Sequence, residues 1–150
     1  MATTTKADLA LELGRSLADF KNHVRQHIQQ KIKEHQLNLS FEMLEVMACL
    51  WKEDGIIQQE IADQTLRDKS SMTYLIDNLV KRNLVKRTED EKDRRNKLIY
   101  LTEEGITLRN KLYPWAQEVY AQAISNVSET DLQNSLLLIN QMIQNLKPQQ

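Results

Sequence analysis

Residues 56–105 read IIQQEIADQTLRDKSSMTYLIDNLVKRNLVKRTEDEKDRRNKLIYLTEEG, and in this stretch a helical pattern, a basic cluster and a hairpin pattern follow one another without a break. Apolar residues recur at i, i+3, i+4 and i+7, which predicts one buried helical stripe made of Met72, Leu75, Ile76 and Leu79. Asp68 is the predicted N-cap, so this helix should begin near Lys69. A shorter helix over 58–64 precedes it, with expected buried positions at Ile57, Ile61, Ala62 and Leu66. This spacing fits a helix-turn-helix, although two surface helices of an all-α domain have the same pattern.

The second helix is expected to present a polar face opposite its buried stripe. Hydroxyl and amide side chains on such a face can hydrogen-bond to phosphates and base edges of duplex DNA. The residues expected outward or on the flanks are Ser70, Ser71, Thr73, Tyr74, Asp77 and Asn78.

Two short segments of strand-forming residues follow, at 84–88 and 97–101, and the polar run EDEKDRRN separates them. They predict a hairpin with a long charged tip, which would be the only sheet of the chain. Residues 81–97 carry a local charge of +4 in a chain whose net charge is −1. Such a run is usually a solvated loop. Its place directly after the polar-faced helix favours DNA binding instead.

At these residues the chain resembles the MarR (multiple antibiotic resistance regulator) family of winged helix-turn-helix repressors. The match is most specific at Asp93-Arg94-Arg95 and at the following strand, which ends in Leu101-Thr102-Glu103-Glu104-Gly105. The resemblance implies that Arg95 enters the minor groove and that Asp93 holds its guanidinium in a wing salt bridge. The full set of expected DNA contacts is Ser70, Ser71, Thr73, Tyr74, Lys86, Arg87, Arg94, Arg95 and Lys97.

Two positions depart from the pattern of that family. Asn83 stands where a Gly usually precedes the first wing strand, and Asn is the next most tolerant residue for a left-handed helix cap. Tyr74 stands where many members carry Arg, and its hydroxyl and ring would contact a phosphate or a thymine methyl group. The operator of relatives therefore does not transfer directly to this chain.

Length and composition favour one compact, mostly helical domain. The chain has 150 residues, 41% of them hydrophobic, with three Gly, two Pro and one Cys. It lacks the apolar run of ~20 residues that a membrane span requires, and its N-terminus has no signal-peptide layout, so we expect a cytoplasmic protein. Because no nucleophile motif, Gly-rich phosphate loop or zinc signature is present, we expect neither catalysis nor a cofactor.

Long amphipathic helices are predicted on both sides of the central stretch. The first spans about 6–35, with a stripe of Leu9, Leu13, Leu17, Phe20, Val24, Ile28 and Ile32. A shorter helix follows, with Ser40 as N-cap, Leu39 against Leu44 as a staple and Gly55 as its stop.

Two helices are predicted over about 103–147. Thr102 would cap the first of them, which runs to about Asn126 with a bend at Pro114. Ser128 would cap the last helix, which carries a coiled-coil seam of Leu132, Leu136, Ile139, Ile143 and Leu146. The seam could pack on the first helix of the same chain, but a domain of this size has limited core for two long helices, so a homodimer is favoured.

Two weaker patterns are compatible with sensing. His23 and His27 lie one helical turn apart and could share a metal, although no further ligands are nearby in the sequence. Cys49 could sense oxidants, although a lone Cys among apolar residues is usually a small buried hydrophobe.

The sequence therefore predicts a mainly α winged helix-turn-helix protein with a two-stranded β wing. One domain over 1–150 would hold the DNA-reading lobe at about 40–102 and dimerisation helices at about 6–35 and 103–147. The resemblance implies a homodimeric repressor that binds a pseudo-palindromic operator and responds to a small aromatic or phenolic effector. The alternatives are a winged-helix module for protein association and a metal-responsive regulator that uses His23 and His27.

Overall fold

The computed structural model describes residues 3–149, so the predicted outer limits at residues 1 and 150 lie outside the described residues. Six helices and three short strands follow one another along these residues. Their bounds are α1 Lys6–Glu34, α2 Phe41–Lys52, β1 Ile56–Ile57, α3 Gln58–Thr65, α4 Lys69–Lys81, β2 Val85–Glu89, β3 Lys97–Leu101, α5 Glu103–Ala123 and α6 Glu129–Leu146. Over residues 3–149, no helix combines the length and apolar character needed to cross a bilayer. The mainly helical winged helix-turn-helix class is confirmed.

The sheet has three strands in the order β1-β3-β2, all antiparallel. Ile56 lies opposite Ile99, and Val85 lies opposite Leu101. The wing hairpin thus belongs to the one sheet of residues 3–149, but that sheet has a third strand, β1, which the sequence did not predict. A strand of two residues is too short for period-two alternation to reveal it, and it forms because Ile56 is buried against the core while its backbone pairs with β3.

Gly55 does not stop α2, which ends at Lys52 with Glu53 as its C-cap. Instead Gly55 leads into β1 with φ +68°, and its N–H donates to the carbonyl of Ile99 at 3.0 Å. A Cβ at this position would lie 2.6 Å from Cε1 of Tyr100. The glycine is thus required by the left-handed backbone and by the close approach of the Tyr100 ring.

The main core lies between α2, α3, α4 and the sheet. The predicted stripe of α4 is buried within it, together with Val46, Met47, Leu50, Ile61, Val85 and Ile99. Leu66 was expected in this core and is instead 94% exposed. It occupies the C-cap of α3 with φ +53°, and this left-handed turn directs its side chain away from the core.

A second, smaller cluster joins the lobe formed by α2, α3, α4 and the sheet to the outer helices. Ile32 of α1, Leu44 of α2 and Leu112 of α5 form it, and Leu39 packs against both clusters. This cluster thus contains Leu44 and has Leu39, its predicted staple partner, packed against it. It ties the orientation of α2 to that of the long helices.

Side-chain caps set most helix beginnings. The predicted N-caps are confirmed, since each accepts a bond from the amide three residues on: Ser40, Asp68, Thr102 and Ser128. Helix α5 continues through Pro114 and ends at Ala123, short of the predicted 126. Beyond the helix, the N–H of Val127 bonds to the carbonyl of Ile124, and this turn leads the chain to the Ser128 cap.

Candidate nucleic-acid interface

The N-terminal half of α4 presents a polar surface beside its buried stripe. The Asp68 carboxylate accepts a 2.7 Å bond from the N–H of Ser71, which fixes the first turn and holds the pKa of Asp68 below its ordinary value. Ser70 and Ser71 are exposed on that turn, and Tyr74 is 70% exposed one turn further on. These three hydroxyl-bearing side chains are therefore accessible at the helix surface.

Thr73 and Asn78 are less available than the sequence suggested, because both make bonds within the lobe. The Thr73 hydroxyl donates to the carbonyl of Lys69 at 2.9 Å and accepts from Nε2 of Gln58 at 3.1 Å. The Asn78 amide donates to the carbonyl of Tyr74 at 3.0 Å. Thr73 thus connects α3 to α4.

Arg87 lies on β2 and reaches back to α4, where its Nη2 lies 2.7 Å from Oδ1 of Asp77. The guanidinium is mostly covered, with 28% of its side chain exposed. This pair fixes the wing against the helix, a role that the sequence did not reveal because ten residues separate the partners. Lys86 points to the other face of β2, with its Nζ 5.9 Å from the ring centre of Tyr100.

The tip of the wing holds Arg95 in a fork formed by one carboxylate. Nε and Nη2 of Arg95 donate to the two oxygens of Asp93, each at 3.1 Å, and the N–H of Arg95 donates to the same carboxylate. The bonds hold the pKa of Asp93 below its ordinary value and raise that of Arg95. The Arg95 side chain is nevertheless 90% exposed. A charged group is thus oriented before any ligand arrives.

The other wing cations flank that tip. Arg94 is exposed in the connecting turn. Lys97 begins β3 and pairs with Glu89 across the hairpin at 3.3 Å. The wing therefore carries the basic side chains Arg94, Arg95 and Lys97, and the last two of these have carboxylate partners.

The junction between α4 and the wing explains two positions of the motif. Asn83 adopts φ +57°, and the N–H of Leu84 bonds to the carbonyl of Leu79 to close a left-handed helix cap. The Thr102 hydroxyl donates to the carbonyl of Asn83 at 2.6 Å. Gly105 lies so close to the Leu84 carbonyl that any Cβ would collide with it. The turn expected at Asn83 is confirmed.

A cavity of about 270 Å³ opens where α1, α2 and α5 meet. Its lining is mostly apolar and includes Trp51 and Trp115, which are the two tryptophans of the chain. Lys21 and Glu45 are the charged residues of this lining. The sequence did not predict this cavity. Helical periodicity identifies which face of a helix is buried, but it does not show where the buried faces of neighbouring helices leave a gap.

The histidines and the cysteine take ordinary positions. His23 and His27 are exposed on α1, and Nε2 of His23 lies 3.6 Å from Oδ1 of Asp19. Residues 3–149 contain no group of three or more side chains arranged to hold a metal. Burial and the nearby Glu45 carboxylate raise the pKa of the Cys49 thiol, which disfavours the reactive thiolate.

Large apolar side chains remain uncovered on the outer helices. Helix α6 has no buried residue, and its seam residue Leu136 is 62% exposed. At the start of α1, Leu9, Leu11 and Leu17 are also exposed. A single chain therefore leaves apolar side chains exposed in both predicted dimerisation regions, at the start of α1 and along α6.

Comparison with known proteins gives consistent matches. Residues 39–97 match the model of the MarR family. The chain is 31% identical over 132 residues to the HTH-type transcriptional regulator MhqR of Bacillus subtilis, covering 87% of this chain and 86% of that protein.

Solved structures have the same fold. A MarR-family transcriptional regulator from Silicibacter pomeroyi superposes with a TM-score of 0.80 at 19% identity, covering 96% of this chain and 94% of that one. The MepR protein of S. aureus, solved as a complex with DNA, gives a TM-score of 0.72 at 24% identity, covering 89% of this chain and 97% of that one.

Proposed function

The chain belongs to the MarR family of transcriptional regulators, and on that premise we propose that it is a homodimeric, ligand-responsive repressor that binds a pseudo-palindromic operator in the cytoplasm. One observation carries the DNA-binding part. The exposed polar turn of α4 and the oriented Arg95 guanidinium belong to one lobe, in which the Arg87 to Asp77 ion pair joins the wing to α4. Helix α4 would enter the major groove while Arg95 enters the adjacent minor groove.

The homodimer is supported by the apolar surface that one chain leaves uncovered. Exposed apolar side chains recur along α6, and such contiguous patches on soluble proteins mark interaction surfaces. Two-fold symmetry would place the two α4 helices in successive major grooves, about 34–36 Å apart. A pseudo-palindromic operator follows from that symmetry.

The effector site is proposed at the cavity between α1, α2 and α5. Aromatic walls suit a planar ring, and the Lys21 ammonium group at the lining suits an acid or a phenolate. The Nε1–H of Trp51 is buried without an acceptor among the described residues, so an acceptor atom that reached it would satisfy a costly donor. Occupancy would change the packing of α2 between the long helices and the DNA-reading lobe, and a ligand that prefers one arrangement shifts the population towards it.

No observation favours the alternatives over this proposal. A module for protein association has no need of an oriented Arg95 or of the exposed Arg94 at the wing tip. His23 and His27 do not belong to any group of three or more side chains that could hold a metal in the described residues.

Selection of bound DNA from a random duplex pool tests the proposal. We expect enrichment of an inverted repeat whose half-site centres are about 10–10.5 base pairs apart, or a multiple of that spacing. Recovery of unenriched sequences would contradict sequence-specific regulation.

The cavity allows an independent test of the effector. Since both tryptophans line it, titration with benzoate should change the intrinsic tryptophan fluorescence and lower the affinity for the selected DNA in parallel. A control titration with cyclohexylamine, a cation of similar size, should change neither. If benzoate and related aromatic acids or phenols leave the fluorescence unaffected, the effector does not occupy this cavity.

A further inference from the structure

A cleft of about 260 Å³ separates the helix-turn-helix from the tip of the wing. Three cationic side chains line it from three different elements: Lys69 at the start of α4, Arg95 in the wing turn and Lys97 on β3. The amides of Gln58, Gln59 and Asn96 complete its polar wall. No carboxylate belongs to the lining among the described residues. The cleft is therefore built to accept an anion.

The three cations differ in how far they are already neutralised. Arg95 is paired with Asp93 and Lys97 with Glu89, whereas Lys69 makes no ion pair within the described part of the chain. The start of α3 adds to the positive field, because its N-cap Ile57 supplies no side-chain bond to the first amides of that helix. Lys69 is thus the principal uncompensated charge of the cleft.

The groove geometry of duplex DNA identifies the anion. A major groove and its neighbouring minor groove are separated by one sugar–phosphate strand. If α4 occupies the major groove and Arg95 occupies the minor groove, the strand that separates these grooves has to pass between α4 and Arg95. The cleft is the space between α4 and Arg95. We infer that this cleft holds the phosphodiester strand between the two grooves, with Lys69 as the positioning contact to a phosphate. The inference rests on the proposed DNA-binding function and adds a residue that the motif did not identify.

A contact to phosphate carries no base preference, which distinguishes it from a base contact. Lys69→Gln should therefore weaken binding to the selected operator and to an unrelated duplex by a similar factor. Each neutralised phosphate contributes about 0.9 to the slope of log affinity against log salt, so a dimer with two clefts should lose about 1.8 from its slope.

Lys111→Gln provides the matched control, since Lys111 is an exposed lysine on α5 and the substitution removes the same charge. We expect it to leave the salt slope within 0.3 of the parent value, roughly a third of one phosphate contact. Thermal unfolding of both variants should match the parent, which shows that the change in slope does not come from misfolding.

Three results would overturn the assignment. If Lys69→Gln leaves the salt slope unchanged, the cleft does not hold the strand. If the variant loses affinity only for the operator and not for the unrelated duplex, Lys69 contacts a base. Calorimetric titration with inorganic phosphate is expected to give no heat at millimolar concentration, so saturable binding that Lys69→Gln abolishes would show a site for a free ion instead of a DNA strand. If the parent protein binds no DNA at any salt concentration, the proposed function itself fails, and this outcome is distinct from the other three.

Discussion

At the scale of single residues, the wing depends on a carboxylate that orients a guanidinium. Arg95 is almost fully exposed, and a free arginine there would sample many rotamers. The fork formed by Asp93 restricts the Arg95 side chain, so less conformational freedom would be lost if it entered a DNA groove as proposed. The energy of such an exposed pair is small, so its value lies in orientation.

Arg95→Ala should weaken operator binding about 5- to 150-fold, the range for one specific groove contact, while the dimer stays folded. Fluorescence anisotropy with the selected duplex at fixed salt measures the change. Arg15→Ala, an exposed arginine on α1, serves as the control for loss of one positive charge. Equal affinities for the Arg95 variant and the parent would remove the wing from the mechanism.

The ion pair should also be visible in the titration of Asp93. The pKa of Asp93 is lowered from the ordinary 3.8. The ion pair therefore contributes to folding stability at pH values above 3.8, and this contribution is lost as the pH falls through the lowered pKa. Carbon-detected NMR of the Asp93 carboxyl group should therefore give a midpoint below 3.8 in the parent, and Arg95→Ala should shift the midpoint upwards. If the two midpoints coincide, the fork does not form in solution.

At the scale of elements, the junction between α4, β3 and α5 sets where the wing points. The backbone at Gly105 packs directly on the Leu84 carbonyl, and the Thr102 hydroxyl bonds to the carbonyl of Asn83. These contacts join the end of α4 to the start of α5. The hairpin is thus held at its base from both sides.

Gly105→Ala should destabilise the protein by about 1–3 kcal/mol, the usual range for overpacking, because the new methyl group displaces the Leu84 backbone. Gly14→Ala is the matched control. Gly14 lies within α1 with nothing near the added Cβ, so that variant should gain about 0.5–1 kcal/mol from helix propensity. Urea unfolding of the three proteins measures both changes, and a Gly105 variant as stable as the parent would contradict the described junction.

The sequence predicted elements well where the pattern is long and the cap is local. Helix α4 begins at Lys69 after its Asp68 cap, and β3 spans the predicted 97–101. Positions controlled by tertiary contacts were missed. Leu66 has an apolar side chain, but its backbone caps α3 in a left-handed turn, and Gly55 serves the Tyr100 ring instead of a helix end.

Parts of the candidate site were also beyond reach of the sequence. The Asp93 to Arg95 fork joins residues that are close in the sequence, and it agrees with the motif. The Asp77 to Arg87 pair instead joins α4 to β2, and hydrophobic periodicity does not specify how these two elements approach each other. The basic cleft and the tryptophan-lined cavity depend on how three elements meet. Such spaces arise from relative placement and leave no signal in any one segment.

At the scale of the whole molecule, the outer helices are only partly used by one chain. Helix α1 packs on α5 through the edge contact of Phe20 with Tyr120, and Lys31 pairs with Glu118 at 2.8 Å. Helix α6 buries nothing within the chain. Coupling between the cavity and the DNA would therefore act through a dimer in which these helices set the distance between two lobes.

Replacing both Leu136 and Ile143 with Glu should produce monomers, because charged side chains would be buried unpaired in the seam. Each monomer would reach one half-site, so operator affinity should collapse although the DNA-reading residues are intact. Gln133→Glu with Gln141→Glu adds the same charge at exposed polar positions of α6 and should remain dimeric. Analytical sedimentation gives the oligomeric state of each variant, and DNA binding is measured on the same samples. If the variant with Glu at both Leu136 and Ile143 stays dimeric, the dimer interface lies elsewhere.

Hydroxyl-radical footprinting on the selected duplex tests the joint use of α4 and the wing most directly. The parent should protect two symmetry-related half-sites, with a protected minor-groove segment beside each one, and Arg95→Ala should lose the minor-groove protection while it keeps the half-sites. A single footprint without symmetry, or minor-groove protection that persists without Arg95, would contradict a dimer that reads the major groove with α4 and the minor groove with its wing.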